Sequence, residues 1–200
     1  MKTNSHEVAL AVDVDGVLLD LMISYCELFN ERYDTNYTKN DVISWEFFLD
    51  WNISEEKAFQ IFYELYENSK DIPVIDKAVK VYLEDIYKNK IFKPDIVSAR
   101  KNEYKKPLVD ALKLNGIIQG IHYEKLILVD NKPYNKKINF SYDIYIDDNP
   151  YLALSIKDYP EKVLLLYNQP WNRSIEDSAI KNVIRVYSWK DVYHYILNFI

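Results

Sequence analysis

Residues 8–20, Val-Ala-Leu-Ala-Val-Asp-Val-Asp-Gly-Val-Leu-Leu-Asp, decide the reading of this chain. An apolar run ends by delivering two carboxylates, Asp13 and Asp15, immediately before Gly16. Side chains two apart on an extended strand lie on one side of it, so both acids can reach a single reaction centre. Gly16 lets the backbone leave the strand sharply, through conformations that a side chain penalises. A strand that is apolar on both faces belongs in a buried parallel sheet, and ligands of such sheets sit beyond the carboxyl ends of the strands. The acids stand at that end.

Working outward, a second acidic strand end follows at residues 142–150, Tyr-Asp-Ile-Tyr-Ile-Asp-Asp-Asn-Pro. Asp147 and Asp148 are adjacent and point to opposite faces of a regular strand, so one is expected to bind a metal and the other to orient a ligand or a water. Carboxylates gathered at one sheet edge repel one another unless a cation lies between them. Hard oxygen ligands favour Mg²⁺. A third strand end, Lys93-Pro-Asp-Ile-Val-Ser98-Ala-Arg100, brings a hydroxyl and a guanidinium that could hold phosphate oxygens. Lys132, after the apolar run 125–129 and before Pro133, is the candidate cation for offsetting a bound phosphate, with Lys136 and Lys137 close by as alternatives.

These segments resemble the motifs of the haloacid dehalogenase superfamily of phosphohydrolases. Its Asp-x-Asp-Gly-x-x-x-Asp motif is matched by Asp13, Asp15, Gly16 and Asp20, its strand-terminal Ser or Thr by Ser98, its lysine by Lys132 and its acidic pair by Asp147 and Asp148. Within the superfamily, Val-Ser-Ala-Arg, Ile-Asp-Asp-Asn-Pro and the segment Leu-Tyr-Asn-Gln-Pro-Trp-Asn-Arg at 166–173 are similar to the 5'(3')-deoxyribonucleotidases and their bacterial relatives. The stretch between Lys132 and Asp147 is longer than that group usually carries.

Composition narrows the classes. A chain of 200 residues with 48% hydrophobic content can bury a sizeable core, and no segment is long and apolar enough to cross a bilayer. A formal net charge of -6 argues against a protein that tracks a long nucleic acid, whereas a small phosphorylated substrate is compatible. Only three glycines occur, at 16, 116 and 120, so neither a Walker loop nor a Gly-x-Gly-x-x-Gly dinucleotide loop exists. The histidines at 6, 122 and 194 lack metal-ligand spacing, and Cys26 reads as a packing residue. The leading residues carry no apolar signal region, which with a single cysteine predicts a cytoplasmic protein. A homodimer is compatible with this composition.

The pattern of elements predicts an α/β fold, a three-layer Rossmann-like, doubly wound parallel sheet with a small helical cap inserted after the first strand. Residues 18–33 carry apolar positions at helical spacing, and Ser54-Glu-Glu-Lys opens a second helix with a capping serine. Residues 18–72 are thus expected to form the cap, and 1–17 with 73–200 the catalytic core. From 74 on, helices at 76–89, 102–114, 150–157 and 189–199 alternate with strands at 94–98, 125–129, 142–147, 162–166 and 183–186.

A cap of this kind closes over the site and governs which ester is accepted. Trp45, Phe47, Phe48 and Trp51 are candidates for stacking on a nucleobase, Trp45 and Phe48 foremost, although an aromatic stripe also serves simply as packing. Trp171, Asn172 and Arg173 are a second candidate contact. The residues permit, and the resemblance implies, a Mg²⁺-dependent phosphomonoesterase acting on nucleoside monophosphates. Asp13 is expected to attack phosphorus and become an aspartyl phosphate, while Asp15 serves as acid and then base. The resemblance assigns the metal to Asp13, the backbone carbonyl of Asp15 and the Asp147–Asp148 pair. A polynucleotide 3'-phosphatase, a small-metabolite phosphatase and a catalytically idle nucleotide-binding module are the alternatives.

Overall fold

A computed structural model of the protein describes residues 7–199. The leading residues 1–6, expected to carry no export signal, lie outside it. Six strands, β1 (Val8–Val12), β2 (Phe92–Ser98), β3 (Leu126–Leu128), β4 (Ile144–Asp147), β5 (Val163–Tyr167) and β6 (Val183–Val186), form one sheet in the order β3-β2-β1-β4-β5-β6, with every neighbouring pair parallel. The chain starts in the middle of the sheet, builds outward through β2 and β3, then returns to the other side of β1 with β4. The strand order reverses between β1 and β4, where open α/β sheets leave their ligand crevice.

Side-chain alternation divides the strands between two cores. Leu10, Val12, Ile96, Ile144, Ile146 and Leu165 face a core shared with α4 (Val79–Lys88), α5 (Lys105–Leu114) and α7 (Trp189–Leu197). Ala11, Val97, Tyr145, Leu164 and Leu166 face the opposite core, covered by α6 (Pro150–Ile156). Both sheet faces are therefore dry, as the continuous apolar runs require. Pro94 sits inside β2 at no cost to the ladder. It precedes the first β2 residue paired with β3, Ile96 opposite Leu126, and its carbonyl still accepts from the Glu124 amide at 2.8 Å. Trp189 is wholly buried, and its indole Nε1 donates to the carbonyl of Val17 at 2.9 Å, which ties the closing helix to the turn after β1.

Between β1 and α4 the chain makes α1 (Leu21–Tyr33), the four-residue α2 (Phe47–Asp50), α3 (Glu55–Glu67) and short 3₁₀ turns at Lys39–Asp41 and Ser69–Asp71. Ser54 caps α3 by accepting from the amide of Lys57. The two ends of this helical segment lie side by side: the Asp20 amide donates to Pro73, and the Ile75 amide to Leu18. Tyr25, Phe29, Phe47 and Ile61 of the segment belong to the same apolar cluster as the sheet. No helix of the described residues is long and apolar enough to span a membrane.

Candidate active site

Parallel register delivers the functional side chains to one edge. The Asp13 amide continues the ladder by donating to Ile146, which sets Asp13 beside Asp147 at the end of β4. Carboxylate oxygens of Asp13, Asp147 and Asp148 all lie within 4.8 Å of one another, and all three residues are buried. Gly16 makes this approach possible. Its φ is +79°, and a Cβ there would stand 2.0 Å from Oδ2 of Asp148.

One buried cation faces the three acids. The ammonium of Lys137 lies 2.8 Å from Oδ1 of Asp13 and 2.7 Å from Oδ2 of Asp147. Lys132, the residue expected in this role, is instead half-exposed and pairs with Glu55 at 2.5 Å. The reason is the 3₁₀ turn Lys136–Asn139, which carries Lys137 inward while Lys136 pairs with Asp130 at the surface. Nothing in the residue types separates the three lysines, because a lysine stem suits either a buried or an exposed course.

The oxygens left over are informative. Asp147 is fully engaged, accepting from Lys137 and from the amide of Asn149. Asp148 accepts from the Trp171 indole at 3.1 Å through one oxygen, and its Oδ1 is buried without a hydrogen-bond partner. Oγ of Ser98 is in the same condition, whereas Oδ1 of Asp13 is held by the Lys137 ammonium at 2.8 Å. Buried polar atoms are nearly always satisfied, so two orphans at one sheet edge, Asp148 Oδ1 and Ser98 Oγ, mark a ligand site. Three clustered carboxylates, one of them with an unpartnered oxygen, are donors of the kind a hard divalent cation takes, and the site fits Mg²⁺ on that ground. Of the adjacent pair, Asp148 rather than Asp147 carries the unpartnered oxygen.

Burial pushes the Asp13 carboxyl up to about 7, with Lys137 pulling down and the charges of Asp147 and Asp15 adding to the rise. Asp148 is raised well above the usual carboxylate range, by burial first and then by Asp13 and Asp147. For Lys137 burial lowers the pKa, but Asp13 and Asp147 outweigh it and the net direction is up. Cys26 is pushed up to about 12 by burial, an inert packing thiol.

Asp15 lies at the cavity but does not join the cluster. Arg100, expected to fork onto phosphate, grips Asp15: its Nε donates to Oδ2 at 2.8 Å and its Nη2 to Oδ1 at 2.5 Å. Its remaining terminal nitrogen donates to Oγ of Ser69 at 2.8 Å, and the guanidinium is buried.

The roof of the site comes from the helical segment. Trp45, Phe47, Phe48, Phe59, Phe62 and Tyr66 line a cavity of about 140 Å³ whose floor is Asp13, Asp15 and Asp148. Trp45 meets Tyr134 edge-on at 6.0 Å. Trp51 does not line the cavity; it stacks on Tyr37 at 4.0 Å. Trp171 does, and Asn172 buttresses it from below by donating to the carbonyls of Asp148 and Tyr167. Lys137, Ser69 and Tyr66 carry no motif signal, and only Lys137 stood among the sequence candidates.

The model of the family described as 5' nucleotidase, deoxy (pyrimidine), cytosolic type C protein matches residues 6–199. The chain belongs to this family. It is thus a phosphatase of nucleotidase type with a haloacid dehalogenase fold. A 5'(3')-deoxyribonucleotidase from Bacillus subtilis (strain 168) is 24% identical over 188 residues, covering 92% of this chain and 95% of the relative. Among solved structures, a protein described as the HAD-hydrolase YfnB from Bacillus subtilis, bound to magnesium, superposes with a TM-score of 0.59 at 14% identity, covering 96% of this chain and 99% of the other. A haloacid dehalogenase-like hydrolase from Xanthomonas campestris gives 0.53 at 10% identity, covering 96% of each. Both share the fold.

Proposed function

We propose that the protein is a Mg²⁺-dependent 5'(3')-nucleotidase that dephosphorylates nucleoside monophosphates through an aspartyl phosphate on Asp13. The observation that carries this reading is the convergence of Asp13, Asp148, Ser98 and Lys137 beneath an aromatic cavity sized for one ring system. The cavity, about 140 Å³, compares with the ~150 Å³ that accommodates benzene in an engineered apolar core. A nucleobase offers flat faces to Trp45 and Phe48, while its sugar leads the phosphate down to the acids.

Asp13 supplies the oxygen that attacks phosphorus, and the bond to the leaving alkoxide breaks as the new one forms. Asp15, at the cavity wall, gives the alkoxide its proton and later takes one from the water that cleaves the aspartyl phosphate. Lys137 neutralises phosphoryl oxygens, and the unpartnered hydroxyl of Ser98 donates to one of them. Asp147 holds Lys137 in place. Asp13, Asp148 and the backbone carbonyl of Asp15 would hold Mg²⁺, which supplies electrostatic stabilisation of the phosphoryl group and keeps Asp13 ionised. Residues 18–72 act as the cap that excludes water. The formal net charge of -6 opposes a long polyanion, which favours mononucleotides over polynucleotide ends.

The test is phosphate release from ribo- and deoxyribonucleoside monophosphates, sugar phosphates and 3'-phosphorylated oligonucleotides, with and without Mg²⁺. The expected result is Mg²⁺-dependent release from nucleoside monophosphates, lost by at least about 10⁴-fold in Asp13→Asn with the fold retained. Unchanged turnover in Asp13→Asn overturns the nucleophile.

A further inference from the structure

Arg100 invites a different role from the phosphate clamp its position suggests. Its guanidinium is 1% exposed and approaches Asp15 side-on, so that both carboxylate oxygens accept one bond each. A carboxylate oxygen has room for a second partner, so Asp15 can still exchange a proton on the side that faces the cavity. The fork fixes where those free lone pairs point. A single ammonium, which cannot grip two oxygens in one plane, would leave the carboxylate free to rotate.

The third bond of Arg100 reaches the far end of the helical segment. Ser69 is wholly buried; its hydroxyl accepts from Arg100 Nη1 and donates to the Tyr66 carbonyl at 2.7 Å. The Tyr66 ring lies under the guanidinium, 4.3 Å from its centroid. Strand β2, the turn after β1 and the last residues of α3 therefore meet at one side chain. Phosphate neutralisation falls to Lys137, and three Arg100 nitrogens are committed elsewhere.

We infer that Arg100 is a positioning residue for Asp15, and that through Ser69 and Tyr66 it makes the acid's pose depend on the seating of the helical segment over the site. A segment lifted away takes Ser69 and the Tyr66 ring with it and frees the guanidinium to swing. Asp15 is then aimed at a leaving group only when the roof is down. The inference rests on the phosphomonoesterase reading of the same site.

Leaving groups separate the possibilities. With the full-length protein and Mg²⁺, kcat/KM is measured on 4-nitrophenyl phosphate, whose phenolate leaves without a proton, and on a deoxynucleoside 5'-monophosphate, whose alkoxide needs one. This ratio reports steps up to leaving-group departure, before the shared hydrolysis of the aspartyl phosphate. Arg100→Lys is expected to lower it roughly 100-fold on the nucleotide and less than about tenfold on the aryl ester. Inhibition by inorganic phosphate is expected to stay within about threefold, because no direct phosphate contact is lost. Ser69→Ala keeps the fork intact and is expected to show the same asymmetry at roughly tenfold. Equal losses on both esters, or a weakening of phosphate inhibition that matches the rate loss, overturn the inference. Should Arg100→Lys fail to fold, Ser69→Ala decides, and a symmetric effect there overturns the coupling. A wild-type protein that releases no phosphate from either ester overturns the phosphomonoesterase reading instead.

Discussion

The floor and the roof of the site are built by opposite means. On the floor, Asp13, Ser98 and Asp147 stand at strand ends whose relative heights are locked by parallel register, with Ala11 opposite Asp95 and Tyr145 and Val12 opposite Ile96 and Ile146. Moving one of these side chains means slipping a strand. The roof is made of aromatic residues on the four-residue α2, the turn before it and the 13-residue α3, and it meets the core loops in part through exposed or half-buried pairs such as Glu55–Lys132 and Glu46–Tyr151. Ladder geometry fixes where the acids stand, while aromatic rings from the helical segment line the cavity above them. A cleft of this design is expected to keep its reaction under substitution of the roof and to change its substrate.

The strongest way to break that contrast is to exchange the two lysines. Lys137→Met leaves Asp13 and Asp147 buried without their cation, at a cost of about 3–5 kcal/mol to the fold. The same change is expected to remove roughly 10²–10³-fold in kcat. Lys132→Met is expected to alter neither the melting temperature nor kcat beyond experimental scatter, because that ammonium is in water and pairs with Glu55. Thermal denaturation and steady-state kinetics on both variants check this; comparable losses would place the phosphate-side cation at Lys132 after all.

A second experiment sharpens the division inside the roof. Trp45→Ala is expected to raise KM for nucleoside monophosphates about tenfold, the worth of one good stacking contact, with little change in kcat or stability. Trp51→Ala should do the reverse, costing about 3 kcal/mol through its lost contacts with Tyr37, Phe29 and Phe47 while leaving KM alone. Chemical denaturation beside initial-rate kinetics distinguishes them.

The smallest effect concerns the floor alone. The Asp13 carboxyl is raised from its ordinary 3.8 to about 7, so the folded protein holds that proton more tightly than the unfolded chain. The stability from this group is fully present below pH 4 and is lost as pH rises toward 7. Asp148 contributes in the same direction. Mg²⁺ competes with those protons, so it should raise the melting temperature by more at pH 8 than at pH 5. Equal shifts at the two values would mean that these carboxyls do not bind the ion.

The strand-end motifs were legible because each is local. An apolar run followed by Asp-x-Asp-Gly needs only backbone alternation to aim two acids past the sheet, and the same holds for Ser98 and the Asp147–Asp148 pair. The start of α3 was legible for a similar reason, Ser54 capping it through its own side-chain oxygen, whereas the cap that Asn149 gives α6 shows only in the structure. Lys137 was not singled out, since three neighbouring lysines differ only in which way a 3₁₀ turn rotates them. Arg100 was read as a phosphate fork. Its true partners, Asp15 and Ser69, are 85 and 31 residues away in sequence, and no spacing rule connects them.

By itself the sequence determined the alternating α/β pattern, the parallel sheet and the acids at its carboxyl edge, because those follow from hydrophobic periodicity and strand geometry acting over a few residues. Tertiary structure alone decided which lysine neutralises the acids, which acid of the Asp147–Asp148 pair keeps an unpartnered oxygen and what Arg100 holds. Each of these is settled by competition among chemically similar groups for one buried partner. That competition is resolved by distance and desolvation across segments far apart in the chain.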